Sequence, residues 1–229
     1  MNILILQGSP RANGNTAWMA EEYRKAAEAA GHKATLVEVA HRKIAGCLAC
    51  EHCHGKGNGS CVQKDDMQAL YPLLAEAEAL VLASPIYYFT MSAQIQAPIQ
   101  RIYSVAKPGK LRKMALLLSS YSPDVYAGAI GEYRGIVGYW GVEDTGFATA
   151  KIDEQKTDAT RAKVVALDKA CVDLVYASDP KTSASLRERM ETRLGPHILD
   201  HAEALGYGRQ AYTLVSLDGT EPPSTKRVD

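Results

Sequence analysis

The chain has 229 residues, of which 46% are apolar and 23% are charged, so it is long enough and apolar enough to bury a full core. Its 26 basic residues balance 26 acidic ones, which removes the electrostatic argument for a nucleic-acid or anionic-membrane partner. The opening MNILILQGSP has an apolar run too short for a signal peptide or a membrane span. We therefore expect a cytoplasmic protein that binds neither nucleic acid nor membrane.

Strands and helices alternate along the first 177 residues. In chain order we predict strand Asn2–Gln7, helix Asn15–Ala30, strand Thr35–Val39, helix Asp65–Ala77, strand Ala79–Ala83, helix Ser92–Val105, strand Met114–Ser119, helix Val125–Tyr139, strand Gly146–Ala150 and helix Thr160–Tyr176. Most of these strands are almost entirely apolar, as strands covered on both faces are. The pattern predicts an α/β fold with a doubly wound, five-stranded parallel sheet.

We divide the chain into a domain at residues 1–177 and a C-terminal extension at residues 178–229. The alternation of strands and helices stops in the extension, and its last residues, DGTEPPSTKRVD, are polar and contain two prolines. We interpret the extension as a packing flap or a dimerisation arm with a loose tail.

A candidate phosphate site lies at residues 8–16, GSPRANGNT, between the first strand and the first helix. Hydroxyls, amides and backbone N–H groups meet there at a helix N-terminus, where they suit an anion, and Arg11 adds a positive charge. The segment lacks both the Lys-containing nucleotide-hydrolase loop and the three-glycine dinucleotide pattern. An ordinary capped turn is the alternative, but the position at the first turn of such a sheet favours a phosphate site.

A second candidate binding segment, SPIYYFTMSAQIQAPIQR, follows the third strand at residues 84–101. Its aromatic run after a strand end suits a flat hydrophobic ring with polar rims, with a plain core loop as the alternative.

Four of the five cysteines lie within GCLACEHCHGKGNGSC, at Cys47, Cys50, Cys53 and Cys61. In a reducing compartment, clustered thiols indicate metal or redox chemistry before disulfides. The C–x2–C–x2–C–x7–C spacing leaves three interpretations open: a [4Fe–4S] cluster, a zinc site that includes His52 or His54, and free or redox-active thiols.

Taken in order, GSPRANGNT, the cysteine segment with its following DDM, and SPIYYFTMSAQ resemble the NADPH-dependent FMN reductases and the related iron-sulfur flavoproteins over about residues 2–177. The resemblance implies a flavodoxin-like fold with strand order 2-1-3-4-5 and bound FMN. The FMN phosphate would be held by Ser9, Arg11, Asn13, Asn15 and Thr16. The isoalloxazine would be flanked by Pro85, Ile86, Tyr87, Tyr88 and Phe89 and contacted by Ser119, Ser120 and Tyr121.

The resemblance implies an enzyme that passes electrons from NAD(P)H through FMN to a small acceptor, such as a quinone, a nitro or azo compound, or a flavin. Flavin chemistry needs position and electrostatics more than a dedicated acid or base, so no catalytic residue is nominated. The first alternative is an electron-transfer protein with a [4Fe–4S] cluster on the four cysteines and a ferredoxin-type partner. The second is a non-catalytic redox-sensing module. Because a flavin on a sheet edge is half exposed, we expect a homodimer or homotetramer.

Overall fold

A computed structural model of the protein describes residues 1–177, with side chains to residue 167. The predicted C-terminal extension, 178–229, lies outside the described residues. Among the described helices, none is long and apolar enough to cross a membrane.

Strands and helices alternate as predicted. In the described residues the strands are β1 (Asn2–Gln7), β2 (Lys33–Glu38), β3 (Ala79–Tyr87), β4 (Thr90–Met91), β5 (Lys113–Ser119) and β6 (Glu143–Ala150). The α-helices are α1 (Asn15–Ala29), α2 (Tyr71–Glu76), α3 (Ala93–Arg101), α4 (Ala127–Trp140) and α5 (Asp158–Ala177). Single turns of 3-10 helix occur at Val39–His41, His52–His54, Asp66–Ala69 and Ile102–Val105.

The parallel sheet has the order β2-β1-β3-β5-β6. Counting only these five parallel strands, this is the predicted order 2-1-3-4-5, and the flavodoxin-like α/β fold is confirmed. The strand count needs a correction, because the short β4 pairs antiparallel with the end of β3, with Ile86 opposite Met91 and Tyr87 opposite Thr90.

The sheet is covered on both faces, as its apolar strands predict. Leu4 and Leu6 of β1 belong to one core cluster, whereas Ile3 and Ile5 belong to the other. Successive side chains of a strand point to opposite faces, so one apolar strand supplies both cores. The first cluster includes Ile95 of α3 and Tyr133 of α4, and the second includes Met19 of α1 and Val164 of α5.

The predicted helix Asp65–Ala77 is interrupted. It consists of the 3-10 turn Asp66–Ala69 followed by α2, with Pro72 in the first turn of α2. Proline lacks an N–H group and is tolerated at a helix start but not in its interior, so a new helix begins there.

Candidate functional site

Three loops meet at the carboxyl edge of the sheet, where β1, β3 and β5 end. The Gly8 N–H donates to the Ala83 carbonyl at 2.8 Å, and Pro85 pairs in register with Ser119. The Ser120 N–H donates to the Ala150 carbonyl of β6 at 3.0 Å. The three predicted flavin-binding segments therefore share one edge.

The β1–α1 loop, residues 8–16, folds back on itself before α1 begins. Ser9 is buried, and its Oγ accepts from the Arg11 N–H at 3.2 Å, while the Gly14 N–H donates to the Arg11 carbonyl at 2.9 Å. Gly14 is the N-cap of α1 and supplies no side-chain cap. The first-turn N–H groups of α1 therefore lack a capping side chain and, with the positive end of the helix dipole, suit an anion. Arg11 and Asn13 lie exposed beside them.

Gly8 is required by close packing at the start of this loop. A Cβ added there would lie 2.6 Å from Ile95 Cβ and 2.8 Å from Ser92 Oγ. The Gly8 carbonyl accepts from Ser92 Oγ at 2.7 Å. The β1–α1 loop is thereby fixed against the N-terminus of α3.

One direct hydrogen bond and one bridge of two hydrogen bonds tie the β1–α1 loop to the end of β5 and the loop after it. The Oγ atoms of Thr16 and Ser119 lie 2.6 Å apart and are buried. Asn15 Nδ2 donates to Gln155 Oε1, and Gln155 Nε2 donates to the Ser120 carbonyl at 2.7 Å. The predicted residues Asn15, Thr16, Ser119 and Ser120 are thus brought together.

Three residues at this edge were not predicted. Lys156 Nζ donates to the Asn13 carbonyl at 3.0 Å, which places a second positive charge beside Arg11's loop. Gln7 is buried, and its Oε1 accepts from the Ser9 N–H at 2.9 Å. Its Nε2 has no hydrogen-bond partner among the described residues. A buried amide donor without an acceptor is costly, so Gln7 joins the candidate ligand-binding residues. Gln155 acts as the bridge between the two loops.

The aromatic segment forms a two-residue hairpin turn between β3 and β4. Tyr88 and Phe89 occupy the turn with φ values of 47° and 68°, the geometry usually taken by Asn-Gly. Tyr88 is 97% exposed and Phe89 57% exposed. A Cβ on Gly128 of α4 would lie 2.5 Å from the Phe89 carbonyl oxygen, so the helix start packs directly on the turn.

An open cleft of about 200 Å³ lies between this hairpin and the loop after β5. It is lined by Ile86, Tyr88, Phe89, Ser120 and Tyr121 from the predicted set, together with Ser122 and Val125. The predicted Pro85 and Tyr87 are not in its lining. Pro85 is partly buried in β3, and Tyr87 is exposed opposite Thr90.

Ser120 organises the floor of the cleft. Its Oγ donates to the Ser122 carbonyl at 2.7 Å and lies 2.6 Å from the Tyr126 hydroxyl. Burial raises the pKa of Tyr126, although the Ser120 hydrogen bond acts in the opposite direction. The Tyr126 hydroxyl therefore stays protonated at neutral pH and is fixed by its partner.

The four predicted cysteines line one cavity, together with Leu48, Val62, Arg101 and Tyr103. Cys53 is buried and Cys61 partly buried, whereas Cys47 and Cys50 are exposed. The Ala49 N–H donates to Cys47 Sγ at 3.4 Å. The four cysteines therefore lie around one cavity, and their role as cluster ligands stays a prediction.

The zinc interpretation is not supported within residues 1–177. No three His, Cys, Asp or Glu side chains among the described residues are placed to hold one metal ion. His54 instead places Nε2 2.9 Å from the Tyr103 carbonyl oxygen. A cubane cluster is a different case, because its four thiolates bind four different iron atoms and so stand farther apart than the ligands of one ion.

An ion pair between the buried Arg101 and the partly buried Asp65 joins the two ends of the cysteine segment. Arg101 Nη1 and Nη2 donate to the two carboxylate oxygens of Asp65 at 2.7 and 3.1 Å, and Nη1 also donates to the Ala45 carbonyl at 3.0 Å. Burial would raise the pKa of Asp65, but hydrogen bonds from Arg101, Ala45 and Met67 lower it overall. Asp65 is therefore ionised at neutral pH and joins the chain before Cys47 to the chain after Cys61.

Comparison with known proteins agrees with this architecture. The family model of NADPH-dependent FMN reductases matches residues 1–136. An iron-sulfur flavoprotein from Archaeoglobus fulgidus is 33% identical over 157 residues, which cover 65% of this chain and 67% of that protein. Five further curated iron-sulfur flavoproteins are matched over about half of their length.

Solved structures show the same fold at low sequence identity. RosB, solved with bound 8-demethyl-8-formylriboflavin-5'-phosphate, has a TM-score of 0.61 at 16% identity, covering 99% of this chain and 95% of its own. An NAD(P)H:quinone oxidoreductase from Methanothermobacter marburgensis has a TM-score of 0.54 at 17% identity, covering 72% and 91%. With its flavodoxin-like sheet and a family match over more than half of its length, the chain belongs to the NADPH-dependent FMN reductase family of flavin-dependent oxidoreductases.

Proposed function

We propose that the protein is an FMN-dependent NAD(P)H oxidoreductase that passes electrons to a small acceptor such as a quinone, a nitro or azo compound, or a flavin. One observation carries the proposal. The Thr16–Ser119 hydrogen bond joins an anion-suited helix N-terminus to the loop that lines an open aromatic cleft. A phosphate and a flat ring would thereby find their sites side by side on one sheet edge.

The β1–α1 loop would hold the phosphate of FMN. Ser9, Asn15 and Thr16 offer polar side chains around the first-turn N–H groups of α1, while Arg11 and Lys156 supply positive charge. Because α1 has no N-capping side chain, the phosphate would also accept hydrogen bonds from the N–H groups of its first turn.

The cleft would hold the isoalloxazine between the hairpin and the loop after β5. When bound, FMN supplies the hydride and electron chemistry. Ile86, Tyr88 and Phe89 offer apolar surface on one side, and Ser120 and Tyr121 lie on the other. Because the cleft is open, a nicotinamide and an acceptor can reach the ring in turn. A quinone acceptor is consistent with the quinone oxidoreductase among the structural neighbours.

The experiment is FMN binding and NAD(P)H oxidation by the purified chain, with a quinone, a nitro compound, an azo dye and free FMN as separate acceptors. Asn15→Ala is expected to weaken FMN binding. Gln68→Ala, in the 3-10 turn Asp66–Ala69 and outside the cleft lining, serves as a control that leaves it unchanged. Failure of the chain to bind added FMN would refute the proposal. FMN binding without NAD(P)H oxidation with any of these acceptors would leave the electron-transfer protein and the redox-sensing module as the remaining interpretations.

The second candidate function is electron transfer through a [4Fe–4S] cluster on Cys47, Cys50, Cys53 and Cys61. The four side chains line one cavity, and the curated relatives are named iron-sulfur flavoproteins. The enclosed space is about 20 Å³, room for about one water. A cluster would therefore need the exposed Cys47 and Cys50 to move outward. A reducing cytoplasm would keep these thiols available as ligands. The cluster would exchange electrons with a ferredoxin-type partner.

The iron-sulfur proposal is tested by iron and sulfide assays on anaerobically purified protein. We expect about four of each per chain, as a cubane requires. Cys53→Ser should abolish both, and Cys171→Ser, outside the segment, is the matched control. Protein that binds FMN but no iron after anaerobic reconstitution would refute the cluster and leave the reductase proposal standing.

We further propose that the chain forms a homodimer or homotetramer in which a second subunit borders the cleft and completes one of its sides. Tyr88 and Tyr121 are 97% and 78% exposed beside it, and apolar surface around a ligand site is typical of an interface. The 178–229 extension is the alternative cover. Light scattering of the FMN-bound chain measures its oligomeric state, and we expect the mass of a dimer or tetramer. A monomer at micromolar concentration would refute the oligomer.

A further inference from the structure

The loop between β6 and α5, residues 151–157, reaches both parts of the candidate flavin site. Gln155 Oε1 accepts from Asn15 Nδ2 of the β1–α1 loop, and Gln155 Nε2 donates to the Ser120 carbonyl at 2.7 Å. Because a carbonyl oxygen can only accept, these contacts fix which end of the Gln155 amide faces which loop. One side chain therefore joins the candidate phosphate site to the loop that lines the cleft.

The next residue makes a second contact with the β1–α1 loop. Lys156 Nζ donates to the Asn13 carbonyl at 3.0 Å. The φ value of Lys156 is 59°, which is uncommon for a residue with a Cβ. In an extended segment successive side chains point to opposite sides. The left-handed conformation instead lets Gln155 and Lys156 both reach the β1–α1 loop, and backbone strain of this kind is typical of functional sites.

The β6–α5 loop is anchored by the start of α5. The Glu154 carbonyl accepts from Thr157 Oγ1 at 2.7 Å and from Thr160 Oγ1 at 2.6 Å. Thr157 Oγ1 also accepts from the Thr160 N–H at 3.2 Å, and Thr160 is fully buried. Gln155 therefore extends from a segment that the protein itself holds in place.

We propose that Gln155 is a positioning residue that fixes the distance between the phosphate and ring parts of the site, and so favours FMN over riboflavin. The inference rests on the FMN-binding function proposed above. A ligand that spans two subsites makes its second contact at a high effective concentration, which falls when the distance between the subsites varies. Riboflavin and inorganic phosphate each occupy one subsite, so they gain nothing from a fixed distance.

The alternative is that Gln155 only packs the loops together. The Thr16–Ser119 hydrogen bond joins the same two segments at the sheet edge. Loss of Gln155 would therefore loosen the two subsites without separating them. A packing role predicts a fall in stability that affects every ligand alike, whereas a positioning role affects only the ligand that spans both subsites.

The test compares Gln155→Met with Gln68→Met in the full chain. Methionine is about as long as glutamine but makes neither amide hydrogen bond. Gln68 is the matched control, since its Nε2 likewise donates to a backbone carbonyl, that of Gln63, at 2.7 Å. Titration of flavin fluorescence gives the Kd of FMN and of riboflavin, and competition with FMN gives that of inorganic phosphate. Gln155→Asn, which keeps the amide but is too short to span both loops, repeats the measurements should Gln155→Met fail to fold.

We expect Gln155→Met to weaken FMN binding about tenfold and to leave riboflavin and phosphate within about twofold of wild type, with no change in Gln68→Met. In an Asn15→Ala background the same substitution should add little, because the bridge is already broken.

Three results would overturn the inference alone. Unchanged FMN affinity would show that the bridge is not needed. Equal weakening of FMN and riboflavin would indicate damage to the cleft, and equal weakening of FMN and phosphate would confine Gln155 to the phosphate site. Wild-type protein that binds neither flavin would instead refute the FMN-binding function, and the inference with it.

Discussion

The backbone conformation of Tyr88 and Phe89 in the hairpin is expected to lower the free energy of unfolding. The double variant Tyr88→Asn with Phe89→Gly should therefore be more stable than the wild type. Both residues have positive φ, which costs an L-residue with a Cβ about 1–2 kcal/mol each. Against this, glycine adds about 0.5–1 kcal/mol of entropy cost. Because Phe89 is 57% exposed, its removal loses only about 1 kcal/mol of burial. The net expected gain is about 1 kcal/mol, or about 2–4 °C in Tm for a chain of this size.

The gain is measured by urea unfolding of the FMN-free chain, followed by circular dichroism. Tyr121→Asn is the matched control, since Tyr121 is an exposed aromatic of the same cleft but is not among the residues with positive φ. The same double variant should bind FMN more weakly, because strain retained at such a position is usually tied to function. A double variant no more stable than the wild type would refute the strain argument.

Three further changes test the ion pair and the packing of the site. Asp65→Asn leaves Arg101 buried without its anion and should cost about 3–5 kcal/mol of unfolding free energy. Because the folded state lowers the pKa of Asp65, wild-type stability from this pair is full above the unfolded-state pKa of about 4 and is lost as pH falls through the folded-state value. Urea unfolding across pH 3–7 should show a smaller fall in stability at the acid end in the variant than in the wild type, since other carboxylates such as Glu21 also have a lowered pKa in the folded state. Thr16→Val leaves the buried Ser119 hydroxyl without its partner and should lower the free energy of unfolding by about 1–3 kcal/mol. Adding Ser119→Ala should recover most of that loss. A double variant as unstable as Thr16→Val would contradict the pairing. Gly128→Ala should weaken FMN binding in a fluorescence titration, because its Cβ would displace the hairpin turn, and unchanged affinity would show that the turn is not needed.

The parallel sheet could be predicted because most of its strands are recognisable as apolar runs in the sequence. The apolar runs of β1, β3 and β5 indicate burial on both faces, as in a parallel sheet. The strand order, which the structure confirms, was implied by the family resemblance. The pairing of β4 could not be predicted. A two-residue strand has no period, and a Tyr-Phe turn lacks the Asn-Gly pattern that marks such hairpins.

The candidate site could be predicted where its residues lie next to a strand end in the sequence. It could not be predicted where a residue makes its contact with a part of the chain that is distant in sequence. Ser9, Ser119 and the cysteines stand in recognisable local patterns. By contrast, Lys156 reaches Asn13 across 143 positions, and Arg101 reaches Ala45 across 56. From the sequence alone, an arginine at the end of a helix is expected to be exposed. Only the tertiary packing shows that Arg101 is buried.

Helix α3 connects the two candidate centres. At its N-terminus, Ser92 binds the Gly8 carbonyl of the β1–α1 loop, and its last residue, Arg101, closes the cysteine segment. Between them Ile95 and Pro98 are buried in the core. Nine residues at about 1.5 Å each give a spacer of about 13 Å. Loops alone would let the distance between a flavin and a sulfur centre vary, whereas a short helix packed in the core holds it fixed. Among the described residues, α3 contacts both the β1–α1 loop and the cysteine segment, so it would fix the distance across which the proposed flavin and sulfur centres exchange electrons.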